Sequence, residues 1–76
     1  MTLKDLKTGS CGVITSVGGE GALRNRLLDM GLTPRTTVQK IKVAPMGDPM
    51  QISVRGYELT LRNDDADKIE VAEVKT

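Results

Sequence analysis

The chain has 76 residues, 38% hydrophobic and 28% charged, with eleven Lys and Arg against ten Asp and Glu for a net charge of +1. Soluble domains usually run to about 100 residues, so this length leaves room for one domain spanning 1–76 and none for a second folded unit. Low net charge with a workable apolar content points to a folded chain and excludes the disordered class.

Residue usage removes whole chemistries. Histidine, tryptophan and phenylalanine are absent, and cysteine and tyrosine each occur once. Imidazole acid–base catalysis, histidine-based zinc sites, cysteine zinc clusters and intrachain disulfides are thereby closed off. Nucleic-acid binding needs a basic field, and single strands also need stacking rings, so no nucleic-acid partner is expected.

Taken in chain order, Met1-Thr2-Leu3-Lys4-Asp5-Leu6-Lys7 lacks the apolar core of a secretory signal. No later stretch approaches the roughly 20 apolar residues that cross a bilayer. With one unpaired cysteine, this reads as a cytoplasmic protein that does not insert into a membrane. Leu3 and Leu6 make a short apolar entry that Thr8-Gly9 closes. Residues 11–17 are rich in β-branched side chains and predict the first strand, which Gly18-Gly19-Glu20-Gly21 breaks.

Residues 22–30 predict a helix, because Leu23, Leu27 and Met30 fall at i, i+4 and i+7 with Leu28 beside them. Gly31 reads as its left-handed cap, Leu32 as the residue that packs back on the last turn, and Pro34 as the stop. Residues 36–43 predict a strand with Ile41 and Val43 inward and Lys40 and Lys42 on the wet face. Residues 44–49, with two prolines, form a connection that cannot lie in a central ladder. Met50, Ile52 and Val54 alternate, Arg55-Gly56 reads as a tight turn, and Tyr57, Leu59 and Leu61 alternate again, a hairpin pattern. Asn63 reads as the cap of a helical turn over 64–66, and Ile69, Val71 and Val74 as the last strand. The fold class is mainly β: about five short strands in a small, partly closed barrel, one inserted helix, and a short helical turn before the last strand.

Three segments carry a resemblance: Arg26-Leu27-Leu28-Asp29-Met30-Gly31-Leu32-Thr33-Pro34, Ala44-Pro45-Met46-Gly47-Asp48-Pro49, and Leu59-Thr60-Leu61-Arg62. Together with Ile69-Glu70-Val71 they resemble the FeoA family, the ferrous iron transport A proteins, over essentially the whole chain. The module is also similar to the C-terminal domain of iron-dependent transcriptional repressors, which keeps a regulatory interaction module as the alternative reading. No DNA-binding segment accompanies it in this sequence, which favours the transport reading.

The resemblance implies an SH3-like barrel and a non-catalytic cytoplasmic accessory role in ferrous iron uptake. It implies that the protein modulates the membrane transporter FeoB, with FeoB's cytoplasmic GTP-binding domain as partner, and that the family is associated with iron transport and transition-metal binding. The family usually has glycine where this chain has Arg35. A type II turn over 33–36 would require positive φ there, at roughly 1 kcal/mol for a non-glycine residue, and a type I turn would avoid it. Both turns stay open.

No nucleophile–base pair is present, so no enzyme is expected. The glycine run matches neither G-x-G-x-x-G nor a P-loop. Among Asp48, Glu58, Asp64, Asp65, Asp67, Glu70 and Glu73 only the 64–67 group clusters, and it suits a helix start better than a metal cage. Cys11 reads as a small core residue. No metal site and no cofactor are expected, and nothing fixes an oligomeric state. The contact surface expected is Leu28, Met30 and Leu32 together with Pro45, Met46, Gly47, Asp48 and Pro49. The helix leucines suit a cover for the barrel ahead of a contact face, since such positions in one short helix are mostly core, and Met46 and Met50 suit either a partner surface or inward packing. Asp48 is expected to cap its own turn, and Arg62 to pair with a carboxylate or lie in solvent.

Overall fold

The computed structural model describes residues 1–74; positions 75 and 76 of the expected domain lie outside the described residues. After a 3₁₀ turn at Leu3–Asp5 come β1 (Cys11–Val17), α1 (Gly21–Asp29), β2 (Thr37–Val43), β3 (Met50–Val54), β4 (Tyr57–Leu61), α2 (Asn63–Ala66) and β5 (Ile69–Val74). The five strands form one sheet in the order β4-β3-β2-β1-β5, every neighbouring pair antiparallel. This is the mainly β architecture expected, with one helix and a short helical turn. Among the described residues no helix is long and apolar enough to cross a membrane.

Alternation explains β3 directly, since Met50, Ile52 and Val54 are all buried and the residues between them are not. Two bulges set the phase elsewhere. Opposite β5, the register of β1 shifts between Ile14 and Ser16, so Ile14 and Val17 both reach the core although they are three apart.

In β2 the register shifts between Lys40 and Lys42, which leaves Ile41 as the extra residue. The expected phase is therefore corrected: Val38 and Lys40 face inward, and Ile41 is only half-buried. Lys40 is 6% exposed. Its Nζ donates to the carbonyls of Leu6 at 2.8 Å and Lys4 at 3.1 Å, which end the 3₁₀ turn without helical partners of their own. The aliphatic stem lies in the interior while the ammonium serves those carbonyls. Burial lowers the lysine's pKa from its ordinary value, and the nearby Asp5 carboxylate partly opposes this.

Helix α1 ends as its sequence requires. The Gly31 amide donates to the Leu28 carbonyl at 3.0 Å and the Leu32 amide to the Leu27 carbonyl at 3.2 Å, with Gly31 at φ 92°. That pair of bonds is a Schellman motif, and its apolar contact partners, Leu27 and Leu32, are both fully buried. Leu23, Leu28 and Met30 pack against the core with part of each side chain free.

Two further turns place an arginine in the left-handed region. Arg35 has φ 73°, so of the two turns left open over 33–36 the chain adopts the one with positive φ, closed by Thr36 N–H to Thr33 O at 3.2 Å. Arg55 and Gly56, at φ 51° and 85°, form the two-residue turn between the paired Val54 and Tyr57. Positive φ at both positions is type I′ geometry, which matches the twist of the flanking strands. Helix α2 is preceded by Arg62, not capped by Asn63 as expected: Asn63 is its first residue and its side chain is used elsewhere.

Candidate partner-binding surface

The connection between β2 and β3 is an exposed loop held by hydrogen bonds within itself and to α2. Gly47 N–H donates to Ala44 O at 2.7 Å and Ala44 N–H to Pro49 O at 2.9 Å, with Gly47 in the left-handed region at φ 88° and a cis peptide between Asp48 and Pro49. Asp48 does not cap its own turn. Its Oδ1 accepts the Asn63 backbone N–H at 3.0 Å, and Asn63 Nδ2 donates back to Gly47 O at 2.7 Å. A carboxylate at a helix start satisfies one of the unpaired amides there and suits the positive end of the helix. The loop and α2 thus fix one another.

As a result Pro45, Met46, Gly47, Asp48 and Pro49 are all exposed, and Met46 is 94% exposed. Met50 lies in the core, so the two methionines divide: Met46 presents its thioether to solvent and Met50 packs inward. Beside the loop is an open cleft of about 260 Å³, with Val43, Ala44, Pro45, Pro49 and Thr60 among its walls. A smaller hollow of about 180 Å³ lies between Asp48, Pro49 and Arg62. Arg62 is exposed and takes no part in the ion pairs among the described residues.

The helix contribution is smaller than expected. Leu28 and Met30 keep partial exposure, but Leu32 is fully buried and is removed from the contact surface; it acts from beneath as the apolar partner of Leu27. Nor do the described contacts join Met30 to the loop. The Met30 carbonyl accepts from the Tyr57 hydroxyl, at the first residue of β4. The loop leads into Met50, which pairs with Leu61 at the last residue of β4. Four strand rises, about 13 Å, separate these ends.

Sequence reasoning missed Tyr57 and Asn63 as organising residues. Tyr57 reads only as one of the alternating residues of its strand, and an asparagine before two aspartates reads as a local cap when its true acceptor, Gly47 O, is 16 residues back. Among the described residues no group of three or more Cys, Asp or Glu is placed to hold a metal ion, and Asp65 is engaged by Arg26 at 3.3 Å.

A five-stranded antiparallel sheet with a helix inserted after its first strand and an exposed loop held by its own hydrogen bonds defines a small SH3-like domain. The chain belongs to the FeoA family: the FeoA domain matches residues 1–73, and domains of this family are small and non-catalytic. It is 41% identical over 71 residues to the Fe(2+) transport protein A/Fe(2+) transporter FeoB fusion protein of Porphyromonas gingivalis, covering 93% of this chain but only 8% of that protein. The solution structure of FeoA from Chlorobium tepidum matches with a TM-score of 0.91 and 37% identity, over 99% of this chain and 71% of that one.

The zinc complex of Stenotrophomonas maltophilia FeoA, an SH3 domain protein, gives 0.84 and 26% over 95% and 89% of the two chains. A manganese-dependent transcriptional repressor matches at 0.89 over 97% of this chain and 36% of that one, with 12% identity, a likeness of fold alone.

Proposed function

We propose that this protein is a non-catalytic accessory of ferrous iron uptake that works in the cytoplasm by binding the GTP-binding cytoplasmic part of FeoB and modulating the transporter. The observation that carries this reading is the relative in which transport protein A and FeoB are one polypeptide. Covalent joining holds the small module at high effective concentration beside the large one, an arrangement that favours contact between them. The surface assigned to the partner is the 45–49 loop, with Leu28 and Met30 contributing from the helix. Met46 offers a polarizable side chain free to repack on a partner, and the fixed loop loses little entropy on binding. Iron is the transporter's cargo in this reading.

The test is a titration of the isotopically labelled protein with purified FeoB cytoplasmic domain, paired with GTP turnover and iron uptake by full-length FeoB. Saturable amide shifts at Met46, Gly47 and Asp48 and a change in turnover or uptake are expected. Met46→Asp should weaken binding at least about tenfold without altering thermal stability, because the side chain lies outside the core. No binding, with turnover and uptake both unmoved, overturns the reading.

A further inference from the structure

The chain's one aromatic residue is on its surface. Tyr57 is 45% exposed, and the buried core contains no ring. A small core gains much from a large side chain, so outward placement of the only ring points to a use there. Its hydroxyl donates to the Met30 carbonyl. Two residues earlier, Arg55 donates through Nη2 to Thr36 Oγ1 at 3.0 Å and Thr33 Oγ1 at 3.1 Å. Those hydroxyls bracket Pro34 and Arg35, so the turn at 33–36 and the β3–β4 turn share one end of the molecule.

Both arginines sit where an L side chain is strained, at φ 73° for Arg35 and 51° for Arg55, whereas the other left-handed positions are glycines. Strain kept at an exposed side chain is a pointer to function. Neither arginine has a carboxylate partner, since the ion pairs among the described residues are Met1 with Glu70 and Arg26 with Asp65. Of the nearest acids in sequence, Asp29 ends α1, and Glu58 already accepts from Gln51 Nε2. The Arg55 guanidinium is oriented by two threonines, while no acceptor among the described residues engages its Nε or Nη1. An oriented guanidinium with donors left over suits a carboxylate, which can accept from it without displacing the threonines.

We propose that Arg35, Arg55 and Tyr57, flanked by Met30 and Pro34, form a second binding face that takes an acidic polypeptide segment, one carboxylate pairing with the Arg55 guanidinium and the adjoining apolar stem lying on the Tyr57 ring. Tyrosine, arginine and methionine are the residues enriched at interface centres. This inference rests on the reading that the protein acts by binding another protein; it does not require that protein to be FeoB.

The test is an amide-shift titration of the whole protein with an end-blocked peptide of alternating glutamate and leucine, its glutamine counterpart, inorganic phosphate and GTP in separate arms. Saturable shifts at residues 33–36 and 55–57 are expected with the acidic peptide only, weakening steeply as salt rises. Arg55→Lys keeps the charge and loses the planar guanidinium that the threonines orient, and should weaken binding about tenfold. Arg35→Gly should weaken it less while raising the melting temperature by roughly 4–8 °C, a gain that a merely damaged fold would not show.

Shifts that lie elsewhere, binding that neither variant affects, or saturable phosphate or GTP binding at these residues without the peptide overturns the proposal. Peptide binding here with no interaction with FeoB would defeat the proposed function and leave this inference standing. FeoB binding untouched by both arginine substitutions, with a silent peptide titration, would do the reverse.

Discussion

The two ends of the β3–β4 hairpin meet the same backbone demand in different ways. At the Met50–Leu61 end, the left-handed position is Gly47, at φ 88° with nothing within 4 Å of where a Cβ would stand, and the loop is held by the reciprocal bonds of Asp48 and Asn63. At the Val54–Tyr57 end, Gly31 is equally left-handed, but its Cβ would stand 2.6 Å from the Tyr57 oxygen, and the neighbouring left-handed positions include Arg35 and Arg55. A glycine in open space answers only to its φ. A glycine under a tyrosine answers to φ and to packing, and an arginine with positive φ answers to something its own backbone opposes.

That contrast is most sharply tested by alanine at the two glycines. Gly31→Ala incurs the left-handed penalty of roughly 1–2 kcal/mol and also pushes away Tyr57, whose bond to the Met30 carbonyl contributes about 1 kcal/mol. A loss of about 2–3 kcal/mol is expected, a fall in melting temperature of roughly 10–20 °C. Gly47→Ala should lose only the first part, about 1–2 kcal/mol. Thermal melts of both proteins decide this: equal losses would mean that Tyr57 is not held as described. In the Tyr57→Phe background the two alanines should cost nearly the same.

A smaller effect sharpens the account of the loop. Asp48→Ala leaves the first amide of α2 without its acceptor, at about 1 kcal/mol, as for loss of a helix cap. Asn63→Ala removes the reciprocal bond to Gly47, and because the two residues share one latch their losses should not add. Urea melts of the two single variants and the double variant measure the coupling. Strict additivity would show that the two bonds act separately.

Much of the fold was legible because its signals are local. Cys11–Val17 coincides with its β-branched run, the hairpin falls where two alternating stretches flank Arg55-Gly56, and Gly31 with Leu32 closes α1 as the glycine–leucine pair predicts. The errors arise where the deciding partner is distant in sequence. A one-residue bulge at Ile41, imposed by pairing with β3, buries Lys40 and leaves Ile41 half-buried, while Lys42 on the wet face and Val43 against the core keep the expected phase. Asp48 has an acceptor role 15 residues away, which its local turn chemistry does not reveal. Of the expected surface, the 45–49 loop is exposed throughout, Leu28 and Met30 are half-exposed, and Leu32 is not available at all. Leu32 packs back on the last turn as its place after Gly31 predicts, and that packing is what removes it from the contact surface also expected of it.

The smallest effect concerns that buried lysine. Burial lowers the folded-state pKa of Lys40 below its ordinary 10.5, with Asp5 partly opposing. Below the lowered value the lysine is charged in folded and unfolded chains alike, and the cost of burying the ammonium is fully present. As pH rises through the folded pKa towards 10.5, the unfolded chain holds the proton more tightly than the folded one. Stability contributed at this position therefore rises with pH across that window.

Lys40→Met removes the titration while keeping a stem of similar length, and groups common to both proteins cancel in the difference. The wild type should gain on the variant between pH 7 and pH 10, as read from urea midpoints at constant slope. Asp5, whose pKa is lowered chiefly by its bonds to Thr2, stays ionised throughout that range and does not enter the difference as a titrating group. A flat difference would mean that the Leu6 and Lys4 carbonyls solvate the ammonium as well as water does. Lys40 would then be an ordinary lysine folded inward, and the bulge that turns it there would carry no electrostatic penalty.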